Sequence, residues 1–313
     1  MASLIKEFSL KKPIVLILCL TIVVFFNSLF NGYSLDDELY ALSPTLNEPS
    51  FGKFAEIFGT ATFYDKGPDG YEYRPLALSS FLAEYLIFGK HVGISHAINL
   101  LLYLVILFQI YLVLLKLGIE TKLIFISLLL FALHPIHTEI ICNLKCRDEL
   151  LMICFALFSF RFSLEYFLKN KLRYLLYTFI FMLASLLSKP TGAVFLITIP
   201  LSIICCLHFN IKKTLIIGIS FAAAFLIYKV MRGTAIDVIA RKLYFHENPF
   251  ISTDSFVLNI STAFHVAFRY LKLLLIPAPL AFYYGYKYVD IAYFSEPATL
   301  ISIAMHLGLI VLL

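Results

Sequence analysis

The chain has 313 residues, 61% of them hydrophobic and only 14% charged, with a mean hydropathy of +0.89. Soluble domains carry about 25% charged residues, so a water-soluble globule is excluded and no nucleic-acid partner is expected. The formal net charge of +5 is small, and its placement along the chain says more than its sum.

In chain order, membrane-crossing helices are expected near 13–30, 95–115, 122–136, 149–167, 174–189, 191–207, 214–231 and 297–313. Each is an apolar run of roughly the length that crosses ~30 Å of hydrocarbon, where only helices or closed barrels satisfy the backbone. The fold class predicted is all-α, a polytopic transmembrane helical bundle. It forms one domain over 1–313 with membrane lipids as partners. The first run is not a cleavable signal, because the acids of "LDDE" stand where a small-residue cleavage site would be. Lys6, Lys11 and Lys12 precede it. Lys116 and Lys122, then Lys169, Lys171 and Arg173, then Lys212 and Lys213 recur at alternate connections. That alternation places the N-terminus in the cytoplasm and residues 31–94 outside, as a long acidic first loop carrying short amphipathic helices.

Residues 256–276 carry His265, Arg269 and Lys272, and charge at mid-bilayer costs about 2.5–3.5 kcal/mol per residue. An amphipathic helix at the outer interface, its cationic face towards lipid phosphates, is preferred there to a spanning helix that hides its charges in the bundle interior. The chain ends at Leu313 within an apolar run, so a C-terminal truncation is expected. Cys19, Cys154, Cys205 and Cys206 lie in apolar helices as packing residues. Cys142 and Cys146, four apart in an outer loop, leave a disulfide open in an oxidising compartment. No glycine-rich phosphate loop or nucleotide fingerprint is present, which disfavours a nucleotide-bound donor.

Polar residues concentrate in the outer connections. "DDELY" opens the first with Asp36, Asp37 and Glu38, and "GYEYRPL" sets Arg74 among tyrosines. "LHPIHTEIICNLKCRDELL" packs His134, His137, Glu139, Lys145, Arg147, Asp148 and Glu149 between two apolar helices, and "SKPTG" holds Lys189. A membrane enzyme that takes sugar from a polyprenyl-phosphate lipid needs a carboxylate to accept the proton of the attacking hydroxyl. It also needs cations to stabilise the departing phosphate. Asp36 or Asp37 suits the base. Arg74, Lys189, Arg269 and Lys272 suit the phosphate, Arg through paired hydrogen bonds and Lys as a point charge.

Structural readings stand beside each of these. The acids of "LDDE" also fit a helix cap or a water boundary, Arg74 fits a snorkelling side chain, and Asp148 and Glu149 fit a helix amino end. His134, His137 and Glu139 have a spacing that leaves a divalent metal open, with no clear third ligand, so no cofactor is assigned. A transporter of small or lipid-linked substrates, or a non-catalytic scaffold, would use the same residues differently. Inverted repeats with broken midplane helices would mark a transporter, and no such symmetry is visible.

The order of the acid pair, "YRPL", "HPIHTE" followed by an Arg–acid pair, "LLSKPTG", "ENP" at 247–249 and "RYLKLLLIPAPL" at 269–280 resembles the transmembrane and tetratricopeptide-repeat O-mannosyltransferase family. That family belongs to the GT-C glycosyltransferases. The match runs from about Leu35 to Leu280, and no tetratricopeptide repeats lie within the chain. Cys146 and Pro190 depart from the family pattern.

The resemblance implies a GT-C fold with its site on the outer face. It implies transfer of a mannose-like sugar from a polyprenyl-phosphate lipid to a hydroxyl acceptor, protein Ser/Thr or a glycan, by one inverting displacement. Asp36 and Asp37 carry over from the first loop, and His134, His137, Glu139, Arg147 and Asp148 from the second; the two aspartates are expected to be catalytic, and the second-loop residues, with Glu38 and Arg74 from the reading of the first loop, substrate-binding. Lys189, Arg269 and Lys272 are set at the lipid phosphate. The periplasmic face of a bacterial cytoplasmic membrane is preferred to the lumen of the endoplasmic reticulum.

Overall fold

The computed structural model describes residues 2–34, 36–41, 43–64, 70–207, 210–236, 255–281 and 288–312. The motif "ENP" at 247–249 lies outside the described residues. The all-α class holds. The helices are α1 (Ala2–Phe25), α2 (Asp37–Ala41), α3 (Lys53–Gly59), α4 (Pro75–Phe88), α5 (Val92–Lys116), α6 (Thr121–Ala132), α7 (Thr138–Cys142), α8 (Arg147–Lys169), α9 (Leu172–Ser188), α10 (Phe195–Cys206), α11 (Ile211–Ala235), α12 (Phe256–Leu275) and α13 (Pro297–Leu312). The one described strand pairing is a two-residue antiparallel ladder in the first loop, with Phe63 opposite Tyr71.

Four described segments are long and apolar enough to cross a membrane: Pro13–Phe30, Val92–Lys116, Leu144–Lys169 and Ile211–Ala235. They coincide with four of the expected crossings. A fifth, expected as one run over 122–136, is instead a bent pair, Thr121–Ala132 with Pro135–Cys142, turning by 51°. Pro135 is the physical reason, since its ring disfavours the helical region for the residue before it. The expected crossings at 174–189, 191–207 and 297–313 are shorter apolar helices of 10–17 residues. At 1.5 Å per residue, 17 residues reach about 26 Å. The helix over 256–276 forms as α12 and is not among the four crossing segments.

Helix ends follow local chemistry. Pro75 occupies the first position of α4, where its missing N–H is no loss, and Gly89 ends that helix at φ 73°. In α8, Asp148 and Glu149 sit in the first turn, Lys169 in the last, and Asn170 closes the helix in the left-handed conformation.

The chain divides into two compact units, Met1–Leu133 with His137–Ile239, and His134–Ile136 with Ala240–Leu313. In the first, Ile17 of α1, Leu107 of α5, Ile124 of α6 and Leu150 of α8 share one core. A second core joins Leu164, Leu186, Ile203 and Phe221 from α8, α9, α10 and α11. A third lies under the first loop, where Tyr40, Leu46, Phe63 and Phe81 pack together. In the second unit, α12 is pinned by Ser261 and Thr262: Ser261 Oγ donates to Ala292 O at 2.6 Å, and Ala292 N donates to Thr262 Oγ1 at 2.9 Å.

Between apolar helices in lipid, burying hydrocarbon against hydrocarbon gains little, so close approach and polar side chains hold the contact. The α8–α9 hairpin is built that way. Ser159 Oγ donates to Thr178 O at 2.8 Å, and Ser185 Oγ donates to Met152 O at 2.9 Å. Gly192 lies so close behind that a Cβ there would stand 2.8 Å from Ser185 Oγ and 3.2 Å from Met152 Cγ. Gly192→Ala should therefore destabilise the chain by about 1–3 kcal/mol through overpacking, and Ser185→Ala in the same chain should recover part of it. Thermal unfolding in detergent reads both effects, and a Gly192→Ala variant that melts with the wild type would show the junction to be loose.

Candidate functional site

The amino end of α8 gathers the polar residues of three connections. Arg147 is fully enclosed. Its Nη1 donates to Glu84 Oε2 of α4 at 2.6 Å, Nε donates to Asn99 Oδ1 of α5 at 2.9 Å, and Nη2 donates to Ser95 O at 2.9 Å. Its guanidinium lies 3.6 Å from the Phe81 ring centroid, and both members of the ion pair have 0% side-chain exposure. Ser95 Oγ donates to the other Glu84 oxygen. Arg147, expected at the substrate, thus ties α4, α5 and α8 together from inside.

Asp148 points into a second buried cluster. Arg74 Nη1 pairs with Asp148 Oδ2, and Tyr40 OH donates to the same oxygen at 3.3 Å. The other Arg74 nitrogen, Nη2, pairs with Glu72, which adopts a left-handed conformation at φ 60°. A non-glycine residue there carries local strain, and the ion pair with Arg74 helps to hold it. Burial pushes the Tyr40 phenol well above its usual range and the Asp148 carboxylate adds to this, so Tyr40 remains a neutral donor. For Arg74, burial opposes the charge, but Tyr40, Asp148 and Glu72 together outweigh it and raise the guanidinium above its ordinary value.

Around this buried base lies an accessible rim. Lys189 Nζ is 2.6 Å from Glu149 Oε1 and 3.6 Å from Asp148 Oδ1. Lys145 Nζ pairs with Asp36. Glu139 on α7 is exposed and within electrostatic reach of Glu149 and Lys189. Glu38 is exposed on α2.

The two adjacent aspartates differ sharply. Asp36 has 56% side-chain exposure, whereas Asp37 has 0% residue exposure. Asp37 Oδ1 accepts from Lys145 N at 2.8 Å, and Oδ2 accepts from Ser34 N at 3.0 Å and Ser34 Oγ at 3.2 Å. Asp37 pins α2 to the turn Leu144–Cys146, and Asp36 is left facing water beside a lysine.

The remaining expected residues have their own local partners. His137 packs its ring against Phe131 at 4.4 Å and Tyr103 at 5.5 Å between centroids. His134 belongs to the second unit, where its Nε2 is 3.1 Å from Leu274 O and its Nδ1 accepts from Ile136 N at 3.2 Å. Arg269 and Lys272 also lie in that unit, on α12, and Arg269 Nη1 donates to Tyr288 O at 2.8 Å. Among the described residues, no group of three His, Cys, Asp or Glu could hold a metal ion, and Cys142 and Cys146 are free thiols.

The assembly also includes residues outside the expected site set: Glu84, Ser95 and Asn99 around Arg147, Tyr40 and Glu72 around Arg74, and Lys145 and Glu149 at the rim. Glu84 had a signal, being an acid inside the otherwise apolar "LSSFLAEYLIF". A buried acid in such a helix requires a cation, and Arg147 is that cation.

Helices long and apolar enough to cross a membrane, together with a polar, mixed-charge rim at the amino end of one of them, define a polytopic helical protein with a candidate site at one end of its first unit. Comparison with known proteins narrows this. The chain is 32% identical over 153 residues to human protein O-mannosyl-transferase TMTC3, covering 48% of this chain and 16% of that one. It is 28% identical over 176 residues to Drosophila melanogaster protein O-mannosyl-transferase Tmtc1, covering 55% and 20%. It is 27% identical over 208 residues to Caenorhabditis elegans protein O-mannosyl-transferase F38B6.6, covering 63% and 28%. The matches thus span under a third of each relative's length. No family model and no solved structure matches. Over the aligned part the chain is similar to these protein O-mannosyl-transferases, in keeping with the resemblance read from its loop motifs; these three relatives are animal proteins.

Removing one partner of the Arg147–Glu84 pair would leave a bare buried charge, at about 3–5 kcal/mol. Arg147→Met and Glu84→Leu should each reduce the folded yield severely. The double variant, which removes both charges, should recover much of it. Size-exclusion profiles and melting in detergent decide this, and a double variant no better than either single one would overturn the account.

Proposed function

We propose that the chain forms the catalytic portion of a membrane glycosyltransferase of the GT-C type. It transfers a mannose-like sugar from a polyprenyl-phosphate lipid to a Ser/Thr hydroxyl of a protein, on the membrane face that carries the first loop. The observation that carries this reading is the pairing of one exposed carboxylate, Asp36, with Lys145 next to the Glu149–Lys189 pair. The similarity to protein O-mannosyl-transferases supports it as well.

The residues divide the work. The acceptor oxygen bonds to the anomeric carbon as the bond from that carbon to the phosphate oxygen breaks, in one inverting step. The hydroxyl proton passes to the Asp36 carboxylate, and the electron pair leaves with the polyprenyl phosphate. Lys189 and Lys145 are both held by carboxylates at the rim, and either ammonium can turn to the more highly charged phosphate when the donor arrives. Movement of Lys145 also frees Asp36 to accept its proton. Arg74, Tyr40 and Asp148 brace the floor beneath, and Asp37 and Arg147 act as positioning residues. Glu38 and Glu139 are exposed and able to meet acceptor hydroxyls.

The test is transfer of labelled mannose from polyprenyl-phosphate mannose in membranes containing the chain. Asp36→Asn should elute as wild type on size exclusion and lose at least about a hundredfold in rate, the size expected of a lost general base. Asp37→Ala should instead lose folded yield, because three hydrogen bonds end on its carboxylate. A folded Asp36→Asn variant with wild-type transfer would remove Asp36 from the chemistry, and no transfer by wild type from any such donor would overturn the transferase reading.

A further inference from the structure

At the opposite end of α8 a cleft of about 710 Å³ runs between α9 and α11. Its lining is apolar except at two points, Arg173 and Ser220, with Leu176, Phe179, Ile216 and Ile219 among the walls. That volume is within the usual range for a small-molecule site, about 300–1,000 Å³. The Ser220 hydroxyl oxygen is buried and has no hydrogen-bond partner among the described residues. Leu176 and Ile219 are 54% and 68% exposed, so the cleft opens sideways on a helix that is itself a membrane-crossing segment.

The mouth of this cleft is basic. Arg173 is exposed, has no acidic partner among the described residues, and rests on Tyr174, its Nη2 3.1 Å from the phenol oxygen. Lys213 Nζ donates to Phe167 O at 2.5 Å, which sets the start of α11 against the end of α8. Lys171 immediately precedes α9, and Lys212 lies in the first turn of α11. Glu165, the acid near the end of α8, is already taken by Lys116 and Lys169. Arg173 is thus the one cation in the lining and faces no acid there, and the rest of the interior is hydrocarbon apart from the Ser220 hydroxyl.

We infer that this cleft is a binding site for one anionic glycerophospholipid, acyl chain between α9 and α11 and headgroup phosphate on Arg173. A zwitterionic headgroup also carries a phosphate, but its own ammonium offsets that charge and weakens the attraction to the arginine, and a soluble anion would satisfy the arginine but not the cleft. The site is separate from the rim at the amino end of α8, and it needs no transferase activity to be tested.

The experiment is native mass spectrometry of the detergent-purified chain equilibrated with phosphatidylglycerol and phosphatidylcholine of identical acyl chains. Wild type should retain the anionic lipid about fivefold over the neutral one, the preference one arginine provides near a phosphate. Arg173→Gln, a surface change that should fold normally, should abolish that preference while keeping some of both lipids. Ile219→Trp, which fills the cleft, should lower retention of both. Equal retention of the two lipids by wild type, or an unchanged preference in Arg173→Gln, would overturn the site. Displacement of phosphatidylglycerol by an equimolar polyprenyl phosphate would overturn its assignment to a glycerophospholipid.

Discussion

The candidate site depends on one buried ion pair, Arg147 with Glu84. Neither charge reaches water, and each would be costly alone in an apolar interior. Together they are favourable only if their remaining donors and acceptors are met, and Asn99, the Ser95 carbonyl and the Ser95 hydroxyl meet them. The pair therefore holds α4, α5 and α8 in one arrangement. The first loop returns to the bundle through α4, so this pair, together with the Arg74–Asp148 pair and the Asp37 hydrogen bond from Lys145 N, brings the loop's acids to the amino end of α8.

The same reasoning extends down the helices. Hydrocarbon packing alone selects weakly among helix neighbours when the solvent is also hydrocarbon. What distinguishes the native contact is the set of small polar residues that can satisfy a carbonyl across the interface, as Ser159 and Ser185 do. Gly192 permits the return turn to sit against that interface. Phe158, Phe162 and Phe181 add stacked rings along it, with centroids 5.0 and 5.5 Å apart.

Much of this was legible in the sequence. Hydropathy placed four crossing helices, and the loops predicted to carry polar residues do carry them. The bend at Pro135 was missed because a hydropathy window averages over a break that one proline makes. The site was harder to read, for a physical reason. Residue type and position show that Arg147 is a cation near a helix start, but not whether it faces water. That depends on Glu84, 63 residues earlier, and on whether α4 folds back. His134 and His137 share a motif yet differ in environment, because a backbone break separates them.

The orientation of neighbouring residues follows from helix geometry. Consecutive side chains on a helix point about 100° apart, so a run of charges at a helix start must fan out. In α8, Arg147 turns to Glu84, Asp148 to Arg74 and Tyr40, and Glu149 to Lys189. The first points into the core, the second into the floor of the site and the third to its rim. At the start of α2, Asp37 turns to Leu144–Cys146, the turn that carries Lys145, while Asp36, in the turn just before the helix, faces water. Adjacent acids that look redundant in the sequence therefore have different chemistry available to them. The buried one is held by three hydrogen bonds that it would have to break to act, and the exposed one has a single mobile lysine in its way. That difference in what must be displaced, rather than proximity to the membrane, is what separates the two acids and what the proposed role of Asp36 rests on.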